Sequence, residues 1–405
     1  MKGIYIWLSM LGCMLMLVTG CNREDPDSRT VRIGCFPNVT HVQGLVARNM
    51  TRHGEGWFER YLPGYRFEWY TYSAGPTAME ALFGRTVDVT YVGPSPAINA
   101  YSVASGREIR LLAGAVNGGA ALVVPGDSPI TKPADFKGRS IGTPQLGNTQ
   151  DVSCRAWLAQ NGLTATLEGG GDCRVAPTAN SMMLQLMRQG DLDGCWTVEP
   201  WVTRLETMGG AKVFVSEPNV VTTVLVAREK WLGAHPEAAA SLIKAHADLT
   251  QWILDHPEEA KKRVQEEISF LTQTEFPMDV IESAWARLTV TTAIDVPGLE
   301  QFVRDAQAAD LISRVPPIEG MIYHPMAAPM HTPEGPAPEV PAPGSQGGES
   351  EPRPVVPPSV SPGQIPAPPA DGTQQPALTP AAAFHAPAAL SKPGSLCAVF
   401  SKITP

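Results

Sequence analysis

Several patterns are missing from this chain, and each absence removes a class of function. It has no CxxC pair, no HExxH and no histidine–cysteine cluster at zinc spacing, so no metal is expected. A Walker-type glycine loop is also missing, so the chain supplies no ATPase of its own. Basic residues are outnumbered, 31 to 40, for a formal charge of −9. A nucleic-acid surface driven by bulk charge is therefore excluded. The N-terminal apolar run, residues 4–17, falls short of the roughly 20 residues that span a bilayer. What the sequence holds in excess is proline, 39 in all, and roughly half of them follow Tyr323. Charged and aromatic residues thin out together there, so residues 323–405 read as a tail without a packed core.

Between residues 30 and 322, short apolar runs alternate with longer amphipathic ones. Strands are expected at 31–36, 65–72, 87–92, 109–116 and 120–124, with helices at 42–60, 77–83 and 96–105 between the earlier ones. Beyond the turn-rich Pro125-Gly126-Asp127-Ser128-Pro129 the rhythm resumes. Strands follow at 140–143, 174–177, 194–198, 213–215 and 222–227, with helices at 149–161, 181–189 and 201–208. Four helical segments close the run, at 237–255, 258–267, 278–289 and 299–310. Alternating β and α elements imply an α/β fold with largely parallel sheets. Two such units joined by two chain crossings make a bilobed, doubly wound architecture. Its ligand cleft is expected beyond the carboxyl ends of the strands.

The strand ends carry the candidate ligand contacts. After the first strand come Asn38, Thr40 and His41, and after the second Gly75, Pro76 and Thr77. Gly93 and Ser95 follow the third, and Asn117, Gly118 and Gly119 the fourth. The second unit offers Gln145, Gly147, Asn148 and Thr149, then Glu199 and Trp201. Small residues at helix starts let backbone N–H groups cradle an anion without a cationic side chain. His41 could donate to an anion, and Trp201 could stack on a ligand. Glu199 is read rather as a structural partner of Arg204 or Arg155. Ser95 sits in Gly93-Pro94-Ser95-Pro96-Ala97, which lacks the final glycine of a nucleophile elbow, and no histidine is assigned to activate it. No catalytic residue and no cofactor are expected, and the chain is read as a binder, not an enzyme.

Two resemblances sharpen this reading. Leu17-Val18-Thr19-Gly20-Cys21 resembles the lipobox of bacterial lipoproteins, preceded by a signal-like segment 1–20. The resemblance implies acylation at Cys21, a tether over residues 21–29, and an exported chain anchored to a bacterial membrane. Then Val31-Arg32-Ile33-Gly34-Cys35-Phe36-Pro37-Asn38-Val39-Thr40-His41 and Ala74-Gly75-Pro76-Thr77-Ala78-Met79-Glu80-Ala81-Leu82 look like the opening of a known family. So do residues 87–96, 143–151 and Gly190-Asp191-Leu192-Asp193-Gly194 leading to Glu199-Pro200-Trp201. In this order they resemble solute-binding proteins of the nitrate/taurine/alkanesulfonate ABC-transporter group.

That resemblance implies a type II periplasmic-binding-protein fold with one lobe at 30–124 plus 227–322 and the other at 125–226. It implies a monomer that delivers a small oxyanion to a membrane permease and its ATPase subunit. An alkanesulfonate or taurine-like compound ranks first and nitrate next. The alternative is a thiamine-pyrimidine-precursor binder or synthase-like enzyme on the same fold, although the cysteine-rich motif of such synthases has no counterpart here. A disulfide Cys154–Cys173 or Cys173–Cys195 stays open beside buried free cysteines.

Overall fold

The computed structural model describes residues 28–325. The export segment 1–20, Cys21 and the proline-rich sequence from residue 326 lie outside the described residues. Among the described residues, no helix is long and apolar enough to cross a membrane.

Val31, Ile33 and Cys35 are all buried on β1 (Thr30–Cys35). The strand is flanked in parallel by β2 (Arg66–Thr71) and β3 (Val89–Val92). With β4 (Ile109–Gly118), β10 (Val221–Arg228) and β11 (Leu288–Val290) they form a sheet of order β11-β4-β10-β3-β1-β2. A second sheet holds β5 (Ala120–Pro125), β6 (Ser140–Thr143), β7 (Arg174–Pro177), β8 (Gly194–Val198) and β9 (Ala211–Ser216), in the order β7-β6-β8-β5-β9.

The two sheets share one plan. In each, the strand that follows the change of sheet runs against both of its neighbours: β10 between β3 and β4, and β5 between β8 and β9. In the first sheet β4 does the same between β11 and β10, so both sheets are mixed and not largely parallel. The changes of sheet put β5 directly after β4 and β10 directly after β9. Every residue of β10 is buried, as expected of a strand covered on both faces. Separate apolar clusters do the covering, two against the first sheet and two against the second.

The helices that lead to the site are α1 (Val42–Arg52), α3 (Gly75–Phe83), α4 (Pro94–Val103), α5 (Thr149–Gln160) and α6 (Asn180–Gln189). Between them lies the short α2 (Trp57–Tyr61), and α7 (Trp201–Gly209) follows β8. The first lobe is completed by α8 (Glu229–Ala234), α9 (Pro236–Asp255), α10 (Pro257–Thr272), α11 (Met278–Trp285) and α12 (Val296–Ala308).

Four further readings change. The helix expected over 42–60 breaks where Gly54 and Gly56 adopt φ of 77° and 39°. The helix expected over 278–289 stops at Trp285, because the β-branched run that follows pairs with the edge of β4. Residues 120–124, placed by the sequence with the first lobe, hydrogen-bond into the second sheet, and 222–226 into the first. The crossings are therefore Gly118-Gly119 and residues 217–220, and the turn at 125–129 merely ends β5 inside the second lobe. Finally, Cys35, Cys154, Cys173 and Cys195 are all buried and unbonded. Burial pushes the Cys35 thiol up to about 11 and that of Cys195 to about 12, so both stay protonated as small hydrophobes.

At the crossings the chain is held tightly. Gly118 and Gly119 have φ of 80° and 73°, a region that favours glycine. A Cβ on Gly118 would lie 2.5 Å from the Arg287 carbonyl oxygen and 2.7 Å from that of Pro218. The Gly118 N–H donates to the Val220 carbonyl at 2.8 Å, and the Thr222 hydroxyl donates to the Gly118 carbonyl. The two crossings thus brace each other.

Candidate binding site

The carboxyl ends of β1, β2, β3, β6 and β8 meet around a small cavity of about 30 Å³. From the first lobe it is lined by Asn38, Thr40, His41, Gly75 and Gly93, from the second by Asn148, Thr149, Gln150 and Asn180, with Thr222 at the crossing. Three long helices begin at this wall without a side-chain cap: α3 at Ala74, α4 at Gly93 and α6 at Ala179. Gly75 and Thr77 of α3, Ser95 of α4 and the first residues of α6 carry N–H groups with no helical partner, Pro76, Pro94 and Pro96 having none to offer. Each helix start carries roughly half a positive charge. Pro76, Pro94 and Pro96 fix the opening turns of α3 and α4 in helical geometry.

The side chains present donors. Trp201 Nε1 donates to Asn38 Oδ1 at 2.9 Å. An indole N–H can only donate, so the amide oxygen is spent and the Asn38 NH2 remains for the cavity. Asn148 caps α5 by accepting the Asp151 N–H through Oδ1 at 2.9 Å, and its NH2 donates to Gln150 Oε1 at 3.1 Å. The Gln150 NH2 is left over in turn. Asn180 Oδ1 accepts from the Thr197 hydroxyl at 2.7 Å, which frees a third NH2. Three amides with their oxygens engaged make a wall rich in donors and poor in acceptors.

His41 is stacked on Phe36, ring centroids 4.3 Å apart, and is only 3% exposed. Burial lowers its imidazole to about 3, so the ring is neutral near pH 7 and one nitrogen carries a proton. Its Nδ1, Ser95 Oγ and Thr149 Oγ1 are buried with no hydrogen-bond partner. Leaving such an atom unsatisfied costs about 1–3 kcal/mol, which a bound acceptor or donor would recover.

Among the described residues, no lysine, arginine or carboxylate lines the cavity. The nearest buried acid on α5, Asp151, is committed elsewhere. It accepts from the Thr143 hydroxyl at 2.9 Å and the Gly147 N–H at 3.0 Å, and it pairs with Arg155 at 3.0 Å. That network pins the loop 143–149 and neutralises the carboxylate.

Other residues singled out from the sequence stand away from the cavity. Glu199 is fully buried and paired with Arg287 at 2.6 Å, not with Arg204 or Arg155. It also accepts from the Thr203 N–H and hydroxyl at 3.0 Å each. Burial raises its carboxyl, and Arg287 opposes the rise. Trp201 is buried edge-on against Phe276 at 5.9 Å, donates to Asn38 Oδ1 and is not among the residues that line the cavity. Asn117 pairs within the first sheet, and Gly118 and Gly119 build the crossing. Pro76 lies on the first turn of α3, Gly147 secures Asp151, and Thr77 meets Gln145 at 3.5 Å across the mouth. Ser95 is buried on the first turn of α4, beside the lining residues Gly93 and Pro96. Sequence reasoning missed Gln150, Asn180 and Thr222 as lining residues. Only Gln150 had a signal, its place at the start of α5.

The sequence model of the NMT1-like family matches residues 24–269. The chain belongs to the NMT1-like family. No curated protein matches its sequence. Among solved structures, its fold is similar to that of the alkanesulfonate-binding protein SsuA from Xanthomonas axonopodis pv. citri bound to MOPS. The TM-score is 0.60 at 16% identity, over 75% of this chain and 99% of that one. The periplasmic aliphatic sulphonate binding protein SsuA from Escherichia coli gives 0.57 at 17% identity, over 72% and 97%. The periplasmic nitrate-binding protein NrtA from Synechocystis PCC 6803 gives 0.56 at 15%, over 71% and 83%. The NMT1-like chain thus has the periplasmic-binding-protein fold.

Proposed function

We propose that this chain is the substrate-binding component of an ABC importer, and that it captures a compact oxyanion between its lobes. The reading rests on one observation: an uncharged, buried interlobe wall of free NH2 groups and uncapped helix starts. Such a wall rewards an acceptor-rich ligand, and neutral donors in a water-poor site need no counter-cation to hold a single negative charge. Both lobes contribute donors, so binding favours their closed arrangement. A sulfonate head group, as in taurine or an alkanesulfonate, fits this chemistry first and nitrate next. Any substituent beyond the head would run toward the mouth at Thr77 and Gln145. The similarity of the fold to sulfonate- and nitrate-binding proteins supports the same choice.

The role is capture and delivery to a permease with its ATPase, not catalysis, and the chain acts as an exported monomer held by an acyl group on Cys21. A Cys21→Ser variant is expected in the soluble fraction, where wild type stays with membranes. Identical partitioning of the two would end the anchor reading. One feature favours a second ligand class. A neutral cavity walled by the stacked Phe36–His41 pair also suits a flat neutral heterocycle such as a thiamine-type pyrimidine. A thermal-shift panel of taurine, ethanesulfonate, nitrate, bicarbonate and pyrimidines decides. A ligand that binds only the folded state raises the melting temperature. Stabilisation by sulfonates is expected; silence from every oxyanion with a response to pyrimidines would replace the proposal by the second reading.

A further inference from the structure

A second and larger cavity, of about 260 Å³, opens between the lobes on the flank of α5. Its second-lobe wall is aromatic, with Trp157 and Trp196 in edge contact at 5.9 Å. Phe302 of α12 faces them from the first lobe, and the crossing supplies Glu217. Among the described residues, the ionisable groups in the lining are all carboxylates: Glu217, Asp295 and Asp305. Their present partners are all neutral. Glu217 accepts from Trp196 Nε1 at 2.9 Å, Asp295 caps α12 through the Gly298 N–H at 3.1 Å, and Asp305 accepts from Gln301 Nε2 at 2.8 Å. Arg304, the adjacent cation on α12, donates to Gln301 Oε1 at 2.8 and 3.2 Å and lies 3.9 Å from Glu300.

Burial raises both Glu217 and Asp305, and the charge on Asp305 adds to the rise at Glu217. Arg304 opposes the rise at Asp305 from outside the lining, but no cation stands among the described lining residues. A cation in the cavity would relieve the buried negative charge. The faces of tryptophan and phenylalanine attract a cation too, most strongly one that sheds its water readily. Among the described residues, no group of three histidine, cysteine or acidic side chains is placed to hold a metal ion. The carboxylates are spread around an aromatic enclosure, an arrangement that matches a bulky organic cation better than a point charge.

We propose that this cavity is a second binding site, for a compact substituted ammonium of about the size of choline. The cation sits against Trp157, Trp196 and Phe302, with Glu217 and Asp305 as its counter-charges. Because the walls come from both lobes and the crossing, occupancy favours the closed arrangement. It therefore strengthens anion binding in the first cavity, and reciprocally the anion strengthens cation binding. Only this coupling rests on the function proposed above.

Choline chloride, its neutral isostere 3,3-dimethylbutan-1-ol and matched sodium chloride are titrated into the full chain without any oxyanion, by calorimetry and thermal shift. Choline is expected to bind and to raise the melting temperature, with the isostere at least about tenfold weaker, a loss of about 1.4 kcal/mol. Asp305→Asn and Trp157→Leu should each weaken choline about fivefold or more. Glu217→Gln combined with Asp305→Asn should abolish its binding, and the two single variants carry the test if that pair does not fold. Equal binding of choline and the isostere, or no effect of choline beyond sodium chloride, overturns the proposal. Since no oxyanion is present, failure here and failure of the oxyanion panel are separate results.

Discussion

The two interlobe cavities lie on the same helix, α5, and have opposite chemistry. Around Asn148, Thr149 and Gln150, at its start, the wall is polar, uncharged and made of donors. Around Ser153, Ala156 and Trp157, one to two turns on, it is aromatic and edged by carboxylates. A helix start favours negative charge nearby, and that preference fades within the first turn. Position along one helix therefore separates an anion-accepting cavity from a cation-accepting one. Asp151 lies between them, and its pairing with Arg155 keeps its charge from either.

The largest effect that would break this contrast is expected at Gly93. A Cβ there would lie 2.2 Å from Thr149 Oγ1, across the interlobe contact. Gly93→Val should lower oxyanion affinity at least about hundredfold, near 2.7 kcal/mol, and weaken choline by a much smaller factor, through hindered closure alone. Calorimetry with both ligands checks this, and parallel losses would merge the two cavities into one site.

A smaller effect is expected at Trp201. Trp201→Phe removes the indole N–H that holds Asn38 Oδ1, so the amide is free to turn its oxygen into the cavity. A single buried hydrogen bond of this kind is worth about 1 kcal/mol, so oxyanion affinity should fall roughly fivefold to tenfold. Ligand stacking on Trp201 would instead give a change in tryptophan fluorescence on binding, which its position against Phe276 does not predict.

The smallest effect is on stability against pH, where the two cavities should pull in opposite directions. His41 is lowered by burial to about 3, so below pH about 6.5 the unfolded chain binds the more protons at this site. Its contribution is complete above that pH and is lost as pH falls toward 3. Glu217 and Asp305 are raised, so their contribution is present below the ordinary carboxylate range and is lost as pH rises through their folded values. Urea midpoints between pH 4 and 7 should rise less steeply in His41→Gln than in wild type. In Glu217→Gln the rise should be steeper, with a higher midpoint at pH 7. The reverse pairing would show that the groups are assigned to the wrong cavities.

Much of this was legible in the sequence, for reasons that particular residues make plain. Strand and helix order followed from apolar periodicity, and seven lining residues followed from the small and polar stretches after the strands. Those were Asn38, Thr40, His41, Gly75, Gly93, Asn148 and Thr149. Sheet membership was not legible. The turn at Pro125–Pro129 is a strong local signal that ends a strand, whereas β5 joins the second sheet through pairings with β8 and β9 far along the chain. The fate of Glu199 was hidden for the same reason, since its partner Arg287 is 88 residues away. Asn180 and Thr222 reach the cavity through lobe geometry, and no local pattern marks them. Local signals located the loops; long-range pairing decided what each loop faces.

The most direct test of the central claim, that the uncharged cavity binds a compact oxyanion, is a calorimetric titration of ethanesulfonate into wild type and Gly93→Val. Saturable binding of one anion per chain to wild type, abolished in the variant, is the predicted result. No heat from wild type, or equal binding by the variant, would contradict the claim.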